Sequence, residues 1–148
     1  MSTQPYERAL EEFDKGFYCA ESVLKVIADQ QGISSELIPM IATGLCSGMA
    51  RTCSMCGALS GGIIALSMVY GRKSSGESVE KNYEVVQKLI SDFKKEFGST
   101  NCQELLGCDI GTEEGQETFN SKKLDQKCRE YTGKATEFVS KIIIENEN

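Results

Sequence analysis

The chain has 148 residues, of which 40% are hydrophobic and 26% are charged, and its formal net charge is −6. This length suits one domain with its own hydrophobic core, and we predict a single cysteine-rich helical domain over residues 1–148. The acidic balance argues against nucleic acid or an anionic membrane as a partner, because either would require clustered lysine and arginine.

Seven cysteines and the lack of any histidine limit the chemistry further. Without histidine the chain cannot supply a Ser-His-Asp or Cys-His catalytic system, an imidazole zinc ligand or a histidine-ligated haem. Phosphate loops of the GxGxxG or GxxxxGK(S/T) type do not occur, so a nucleotide cofactor has no support. Any function beyond folding is therefore expected to use sulfur.

The N-terminus is polar and lacks the basic and apolar regions of a secretory signal, so we expect a cytoplasmic protein. A cytoplasmic setting keeps thiols reduced, which favours reactive, metal-bound or buried cysteines over a fixed set of disulfides. Residues 52–71 carry no charge, but four glycines and several hydroxyl side chains make them a poor membrane span. We therefore expect a buried helix there and no membrane partner.

Apolar residues recur at helical spacing through most of the chain, and no segment shows the alternation of a strand. Glycine or capping residues mark most of the helix ends, and polar loops are predicted at 72–77 and 111–116. The predicted helices cover residues 5–15, 19–31, 35–43, 56–70, 79–97, a short stretch at 101–107 that Asn101 and Glu104 begin as a capping box, and 121–144.

The helix predicted at 56–70 is apolar nearly all round, which is typical of a helix enclosed by others. Gly57, Gly61 and Gly62 interrupt it, at a cost of about 1 kcal/mol each relative to alanine. We favour close packing of a neighbouring helix over clearance for a cofactor as the reason. The predicted fold class is all-α, a single-domain helical bundle around this buried glycine-rich helix.

Two further helices are amphipathic and could pack within the chain or against a second copy, so a homodimer is one alternative. The apolar face predicted for 79–97 consists of Val79, Tyr83, Val86, Ile90, Phe93 and Phe97, and that for 121–144 consists of Leu124, Cys128, Tyr131, Ala135, Phe138 and Ile142.

Four cysteines have distinctive positions on this map. Cys19, Cys56 and Cys102 lie in the first turns of predicted helices, where free N–H groups and the helix dipole favour a thiolate. Cys128 lies in mid-helix on the apolar face and is expected to point inward. Convergence of these four would form a compact sulfur site, whereas each alone could be a packed hydrophobic side chain.

The remaining cysteines give a weaker signal. Cys53 and Cys56 form a Cys-x-x-Cys sequence, a spacing that suits dithiol redox chemistry or two metal ligands. No second Cys-x-x-Cys completes a zinc ribbon, and no βαβ context of the thioredoxin kind surrounds it. Cys46 and Cys108 lack a distinctive context, and we interpret them as packing or accessory thiols.

Residues 56–61, Cys-Gly-Ala-Leu-Ser-Gly, follow a Cys-Gly-Ala-x-x-Gly motif, with Cys19 upstream and Cys102 and Cys128 downstream. In this order the chain resembles the family of redox-active proteins named for the C_GCAxxG_C_C pattern. The resemblance covers most of the chain and implies a redox-active cytoplasmic protein whose site is formed by those four cysteines. Cys46, Cys53 and Cys108 are not part of the four-cysteine pattern.

Three functions remain open. The first, which we favour, is an electron carrier or oxidoreductase in which Cys19, Cys56, Cys102 and Cys128 bind a metal ion or an iron–sulfur cluster. The second is a dithiol/disulfide protein in which Cys56 attacks and Cys53 or another cysteine resolves. The third is an interaction module with packed cysteines. The redox partner and any substrate are not specified by the sequence.

Overall fold

The computed structural model describes residues 4–147, and this part of the chain is helical, without a strand beyond one isolated bridge between Met55 and Asn101. The predicted all-α fold is confirmed. Residues 1–3 and 148, which the prediction of one domain over 1–148 includes, lie outside the described range. The elements are α1 (Pro5–Asp14), α2 (Cys19–Gln30), a 3-10 helix (Met40–Leu45), α3 (Cys46–Arg51), α4 (Gly57–Tyr70), α5 (Glu80–Phe97), α6 (Cys102–Leu106), α7 (Glu113–Ser121) and α8 (Asp125–Glu145).

α4 lies at the centre of the bundle, with α2, α5 and α8 packed around it. A Cβ atom on Gly61 would lie 2.6 Å from Ala20 Cα on α2, and one on Gly62 would lie 2.9 Å from a Leu89 methyl carbon on α5. The helices therefore approach more closely than any larger residue at these two positions would allow. The predicted enclosed, glycine-rich helix is confirmed, and Gly61 and Gly62 serve helix packing. No helix within residues 4–147 is both long and apolar enough to span a bilayer.

α5 and α8 pack against each other inside the chain through aromatic side chains. Phe97 meets Tyr131 edge-on with ring centroids 4.7 Å apart, and Phe93 is fully buried beside them. Tyr83, predicted for the apolar face of α5, is instead 54% exposed, so the prediction is wrong at that residue. The buried row starts at Val85, and two residues along a helix correspond to a rotation of about 200°, which turns Tyr83 toward solvent.

The helix predicted at 35–43 is wrong, because the chain there forms a turn followed by the 3-10 helix. Pro39 immediately precedes the 3-10 helix, and the Ile38–Pro39 peptide bond is cis. A proline inside a continuous α-helix removes one N–H donor, and its ring collides with the carbonyl group four residues earlier. The expected helix therefore cannot run through residue 39.

The loop predicted at 111–116 and the helix start predicted at residue 121 are also wrong. Thr112 caps α7 by accepting a hydrogen bond from the Gly115 N–H (2.9 Å), and two glutamates in the first turn favour the positive end of the helix. α7 ends at Ser121, and Lys123 adopts a left-handed conformation (φ 53°) between α7 and α8. Threonine is a common N-cap residue, so the start of α7 could have been predicted from Thr112. The positive φ of a lysine could not, because non-glycine residues rarely adopt it.

α3 is a left-handed turn, which no feature of the sequence predicted. Residues 47–50 have φ between 57° and 66° and ψ between 40° and 71°, and Arg51 has φ 67°. A left-handed conformation costs roughly 1–2 kcal/mol per non-glycine residue. Several such residues in succession persist only where the surrounding structure imposes them, and strained segments of this kind concentrate at functional sites.

The segment that leads into α6 holds this turn in place. Cys102 packs so closely on Gly48 that a Cβ atom on Gly48 would lie 2.6 Å from Cys102 Cβ. Ser54 donates its N–H to the Gly48 carbonyl (3.0 Å) and accepts from the Cys102 N–H (2.9 Å). Asn101 donates to the Cys53 carbonyl (2.7 Å), and its side chain caps α6 as predicted. These contacts fix α3, α6 and the approach to α4 relative to one another.

Candidate functional site

The cysteines concentrate around the N-terminal ends of the helices, and all seven are free thiols. α8 begins at Asp125, so Cys128 lies near its start, not in the middle of a helix as predicted. Five cysteines begin or nearly begin an element: Cys19 (first residue of α2), Cys46 (first of α3), Cys56 (N-cap of α4), Cys102 (first of α6) and Cys128 (fourth of α8).

Cys56, Cys102 and Cys128 form a group of thiols between α4, α6 and α8. Each interacts electrostatically with the other two, and Cys56 and Cys102 are both buried. Tyr131 lies beside all three and donates its hydroxyl to the Leu105 carbonyl of α6 (3.1 Å). Three of the four cysteines singled out in the sequence therefore lie together.

These three thiols are neutral at physiological pH. Burial raises the pKa of Cys56 to about 12, that of Cys102 to about 11 and that of Cys128 to about 12. The N–H groups of Ala58 and Leu59 act to lower the pKa of Cys56, but desolvation is the larger effect. The prediction that helix N-termini keep Cys56 and Cys102 as thiolates is therefore wrong, and neutral thiols are poor nucleophiles.

Cys19 and Cys46 form a separate thiol pair at the N-terminus of α2. The hydrogen-bonding interaction with the Cys19 side chain is the largest cause of the raised pKa of Cys46, and burial is the next. The N–H groups of Ala20 and Glu21 lie against the Cys46 sulfur and act in the opposite direction. The Cys46 thiol donates to the Ala42 carbonyl (3.6 Å), so Cys46 retains its proton while its sulfur interacts with that of Cys19.

Gly57 of the Cys-Gly-Ala-x-x-Gly motif makes space for this pair. A Cβ atom on Gly57 would lie 2.4 Å from Cys19 Sγ, 2.9 Å from the Leu45 carbonyl oxygen and 3.0 Å from Cys46 Cα. Contacts this short exclude any side chain at residue 57. The lack of a side chain at Gly57 therefore leaves the space in which Cys19 and Cys46 pack.

A cavity of about 270 Å³ gives access to Cys19. Cys19 is 9% exposed, Cys46 is 3% exposed, and Cys128 lines the same cavity as Cys19. One thiol of the pair and one thiol of the group of three thus line the same cavity. The cavity wall combines aromatic and polar side chains, among them Phe13, Tyr18, Phe119, Ser47, Arg51 and Asp125.

The left-handed turn supplies two polar residues to this wall. Ser47 and Arg51 are both part of α3 and both line the cavity. Among residues 4–147, Arg51 has no salt-bridge partner, and the same holds for Asp125. A cation and an anion therefore face one small cavity without neutralising each other.

The two cysteines of the Cys-x-x-Cys sequence enter different surroundings. Cys53 hydrogen-bonds the Asp109 carboxylate, which raises the pKa of the Cys53 thiol and lowers the pKa of Asp109. Cys108 lies nearby, and its thiol donates to the Gly115 carbonyl (3.7 Å). Cys56 belongs to the group of three described above, and Cys102 of that group also interacts electrostatically with Cys53 and Cys108.

The four predicted ligand cysteines surround one region without forming a coordination site. In the described part of the chain, no three Cys, Asp or Glu side chains are arranged to hold a metal ion. Cys56, Cys102 and Cys128 interact with one another, whereas Cys19 interacts with Cys46.

Sequence reasoning missed Cys46 and Arg51 as parts of the site. Both belong to α3, whose left-handed geometry has no helical or strand periodicity to reveal it. Gly48 was the only local signal, because glycine adopts a positive φ readily. The pairing of Cys46 with Cys19 depends on the packing of α3 against α2, which spacing alone does not give.

The chain matches the model of one protein family. A family model described as "Putative redox-active protein (C_GCAxxG_C_C)" matches residues 17–142, a span that includes all seven cysteines. The chain belongs to this family, and the predicted resemblance is confirmed. Neither a curated protein nor a solved structure matches the chain.

Proposed function

We propose that this chain is a thiol redox protein in which Cys19 and Cys46 alternate between a dithiol and a disulfide. The observation that carries the proposal is that Cys19 and Cys46 pack on the same glycine, since a Cβ atom on Gly57 would lie 2.4 Å from Cys19 Sγ and 3.0 Å from Cys46 Cα. Cys19 also lines a cavity, whereas Cys46 is 3% exposed. Membership of a redox-active family agrees with this chemistry.

The geometry favours Cys19 over Cys56 as the attacking sulfur. Both sulfurs are buried, with Cys19 9% and Cys56 7% exposed, but Cys19 lines the cavity and Cys56 does not. The geometry also favours Cys46 over Cys53 as the resolving thiol, because Cys53 interacts with Asp109 and Cys108. Thiol–disulfide exchange requires access to the attacking sulfur and a second thiol within reach of it.

The reaction oxidises the protein by two electrons. The Cys19 sulfur attacks one sulfur of an incoming disulfide, forms a mixed disulfide and releases the other sulfur as a thiol. Cys46 then gives up its proton and attacks Cys19 within the mixed disulfide, which closes the Cys19–Cys46 bond. The leaving sulfur takes the proton and departs as the second thiol. Two electrons and two protons pass from the dithiol to the incoming disulfide, and an external dithiol reverses the sequence.

The test is a thiol count and peptide mapping after mild oxidation of reduced protein with bis(2-hydroxyethyl) disulfide. The wild type should lose two titratable thiols reversibly, and the new bond should map to Cys19 and Cys46. Cys46→Ser should stop at a mixed disulfide on Cys19, and Cys19→Ser should not react. Cys108→Ser is the matched control and should behave as the wild type. A bond that maps to Cys53 and Cys56, or a reaction unchanged in Cys46→Ser, would contradict the proposal.

A thiolate-bound metal or iron–sulfur cluster for electron transfer is the second candidate, with Cys19, Cys56, Cys102 and Cys128 as ligands. The proximity of Cys56, Cys102 and Cys128 favours it, since buried thiols of raised pKa become good ligands once a cation replaces their protons. The arrangement of the described residues does not favour it, as stated above. No step of the proposed reaction requires it.

Elemental analysis of protein purified without oxygen, together with a visible spectrum, separates the two candidates. If the metal candidate holds, Cys56→Ser and Cys128→Ser should each lose the metal, and Cys108→Ser should retain it. Full metal content in all three variants would eliminate this ligand set. The dithiol proposal expects reversible loss of two thiols whether or not metal is found elsewhere.

A further inference from the structure

We infer that the cavity beside Cys19 binds a small disulfide that carries both a carboxylate and an ammonium group, as an amino-acid disulfide does. The inference rests on the proposed function, because it names the substrate class of the Cys19–Cys46 pair. Arg51 would bind the carboxylate, Asp125 would bind the ammonium group, and the substrate sulfur would meet Cys19.

Two opposite charges face this cavity. Arg51 and Asp125 line the same cavity of about 270 Å³, yet neither forms a salt bridge within residues 4–147, with each other or with a third residue. Arg51 is exposed at the mouth of the cavity and Asp125 is half-buried. A surface charge usually gains little from a partner, but two opposite charges on the wall of one open cavity can recognise a ligand with the complementary pair. A guanidinium group is also the side chain that best binds a carboxylate through two hydrogen bonds.

The size and the remaining surface of the cavity also suit such a ligand. Its volume lies just below the range typical of drug-sized ligands, so it suits a molecule with few non-hydrogen atoms. Phe13, Tyr18 and Phe119 provide an apolar wall for the methylene and sulfur atoms of such a molecule. Sulfur packs favourably against aromatic rings.

The backbone at Arg51 is strained. Arg51 ends the run of left-handed residues, and its φ of 67° is one that a non-glycine residue rarely adopts. The same turn begins at Cys46 and includes Ser47, so it carries the resolving thiol, a wall hydroxyl and the guanidinium group together. Strain that persists in such a segment is explained if the positions of these three side chains are what the turn provides.

The experiment compares three disulfides that share one dithio core and differ only in charge: cystine, cystamine with ammonium groups alone, and 3,3′-dithiodipropionate with carboxylates alone. For each one, the rate constant for oxidation of the Cys19–Cys46 pair is divided by its rate constant with free dithiothreitol, which removes intrinsic reactivity. Cystine should give the highest ratio, by roughly tenfold over either partial analogue, because each lost charge-assisted hydrogen bond corresponds to about a factor of ten or more.

Two variants test which charged group of the disulfide each side chain binds. Arg51→Gln should lower the ratio for cystine and dithiodipropionate about tenfold and leave cystamine unchanged, and Asp125→Asn should lower it for cystine and cystamine only. Arg72→Gln is the matched control, because Arg72 is an exposed loop arginine bonded to the Ser75 carbonyl. It removes the same charge outside the cavity and should change none of the ratios.

A separate readout is non-covalent binding of cystine to the Cys19→Ser variant, measured by calorimetry. Binding should be detected there and should weaken about tenfold when Arg51→Gln is added. Equal ratios for the three disulfides, or ratios unaffected by Arg51→Gln, would overturn the inference. If bis(2-hydroxyethyl) disulfide still oxidises the pair in that case, the proposed function stands and only the substrate class fails. If no disulfide oxidises the pair, the proposed function itself fails.

Discussion

For single residues, the dominant physical effect at this site is desolvation of sulfur. Burial raises the pKa of Cys56 to about 12, although α4 directs two N–H groups at the same sulfur. The reason is that the N-terminus of a helix offers partial charges, whereas removal from water penalises a full charge. A helix start therefore indicates a reactive cysteine only where solvent reaches it, as the cavity allows at Cys19.

The raised pKa of Cys56 leads to a first prediction, on alkaline stability. The folded state holds this proton up to a pH of about 12, whereas an unfolded thiol releases it near 9.0. The stabilisation is complete below pH 9 and is lost as the pH rises toward 12, by about 1.4 kcal/mol per pH unit. Urea unfolding of reduced protein with chelator at several pH values should show a shallower decline for Cys56→Ala. Ser60→Ala, a buried residue of the same helix that does not titrate, should decline as the wild type does.

A second prediction concerns the space at Gly57. Gly57→Ala places a Cβ atom against Cys19 Sγ and against backbone atoms of Leu45 and Cys46, which cannot move aside as a flexible side chain would. We expect a loss of about 1–3 kcal/mol in the free energy of unfolding and slower closure of the Cys19–Cys46 bond. Gly76→Ala is the control, since its nearest neighbour would lie 4.0 Å away. Equal behaviour of the two variants would show that the pair does not depend on Gly57.

For single elements, α3 is the part of the structure that departs most from ordinary propensity. Its residues remain left-handed because Cys102 packs on Gly48 and because Ser54 bonds to the Gly48 carbonyl and to Cys102. The turn in this way couples α6 to the thiol pair on α2. Such an element is set by tertiary contacts, and local sequence contributes only the glycine.

The strain in α3 gives a third prediction. Ala50 is exposed and has φ 57°, so its methyl group makes the left-handed conformation unfavourable without contributing to the core. Ala50→Gly should stabilise the protein by up to about 1 kcal/mol, because relief of roughly 1–2 kcal/mol outweighs the extra entropy of unfolded glycine. Ser91→Gly, at an exposed position inside α5, should instead destabilise by about 0.5–1 kcal/mol. Destabilisation by both variants in thermal unfolding would contradict this account of α3.

The elements also show what the sequence could and could not predict. α1, α2, α4, α5 and the short α6 were predicted within one residue at each end, because apolar spacing, capping residues and flanking glycines report directly on helix geometry. The 3-10 helix and α7 were missed, since Pro39, the cap at Thr112 and the positive φ of Lys123 act locally and have no periodic signal. The grouping of Cys56, Cys102 and Cys128 was anticipated as a hypothesis from their helical positions. The Cys19–Cys46 pair was not, because it depends on how two elements pack.

For the whole molecule, the thiol pair links parts of the chain that are distant in sequence. Cys19 begins a core helix, and Cys46 begins the strained turn, so a bond between them would close the loop of residues 19–46 across the second helix and the 3-10 helix. Arg129 and Asp14 join α8 to α1 at the surface through two hydrogen bonds of 2.8 and 2.7 Å. That exposed pair is expected to add little, so oxidation of the thiols is the larger means of changing global stability.

The last prediction connects that stability to redox potential. In the chain-entropy account, closing a loop of this length stabilises the folded state by about 3–4 kcal/mol, less any strain in the native bond. Because the cycle of folding and oxidation is closed, whatever stability oxidation adds must lower the reduction potential of the folded pair relative to the unfolded one, by about 30 mV for each 1.4 kcal/mol.

Urea unfolding of the oxidised and reduced forms measures the added stability. Equilibration with glutathione in native buffer and in urea measures the difference in reduction potential. Cys108→Ser should reproduce both values, and Cys46→Ser should abolish the couple. A disagreement between the stability and the potential well beyond 30 mV would mean that a second thiol or a bound metal takes part in the oxidation, which would return Cys56, Cys102 and Cys128 to the centre of the mechanism.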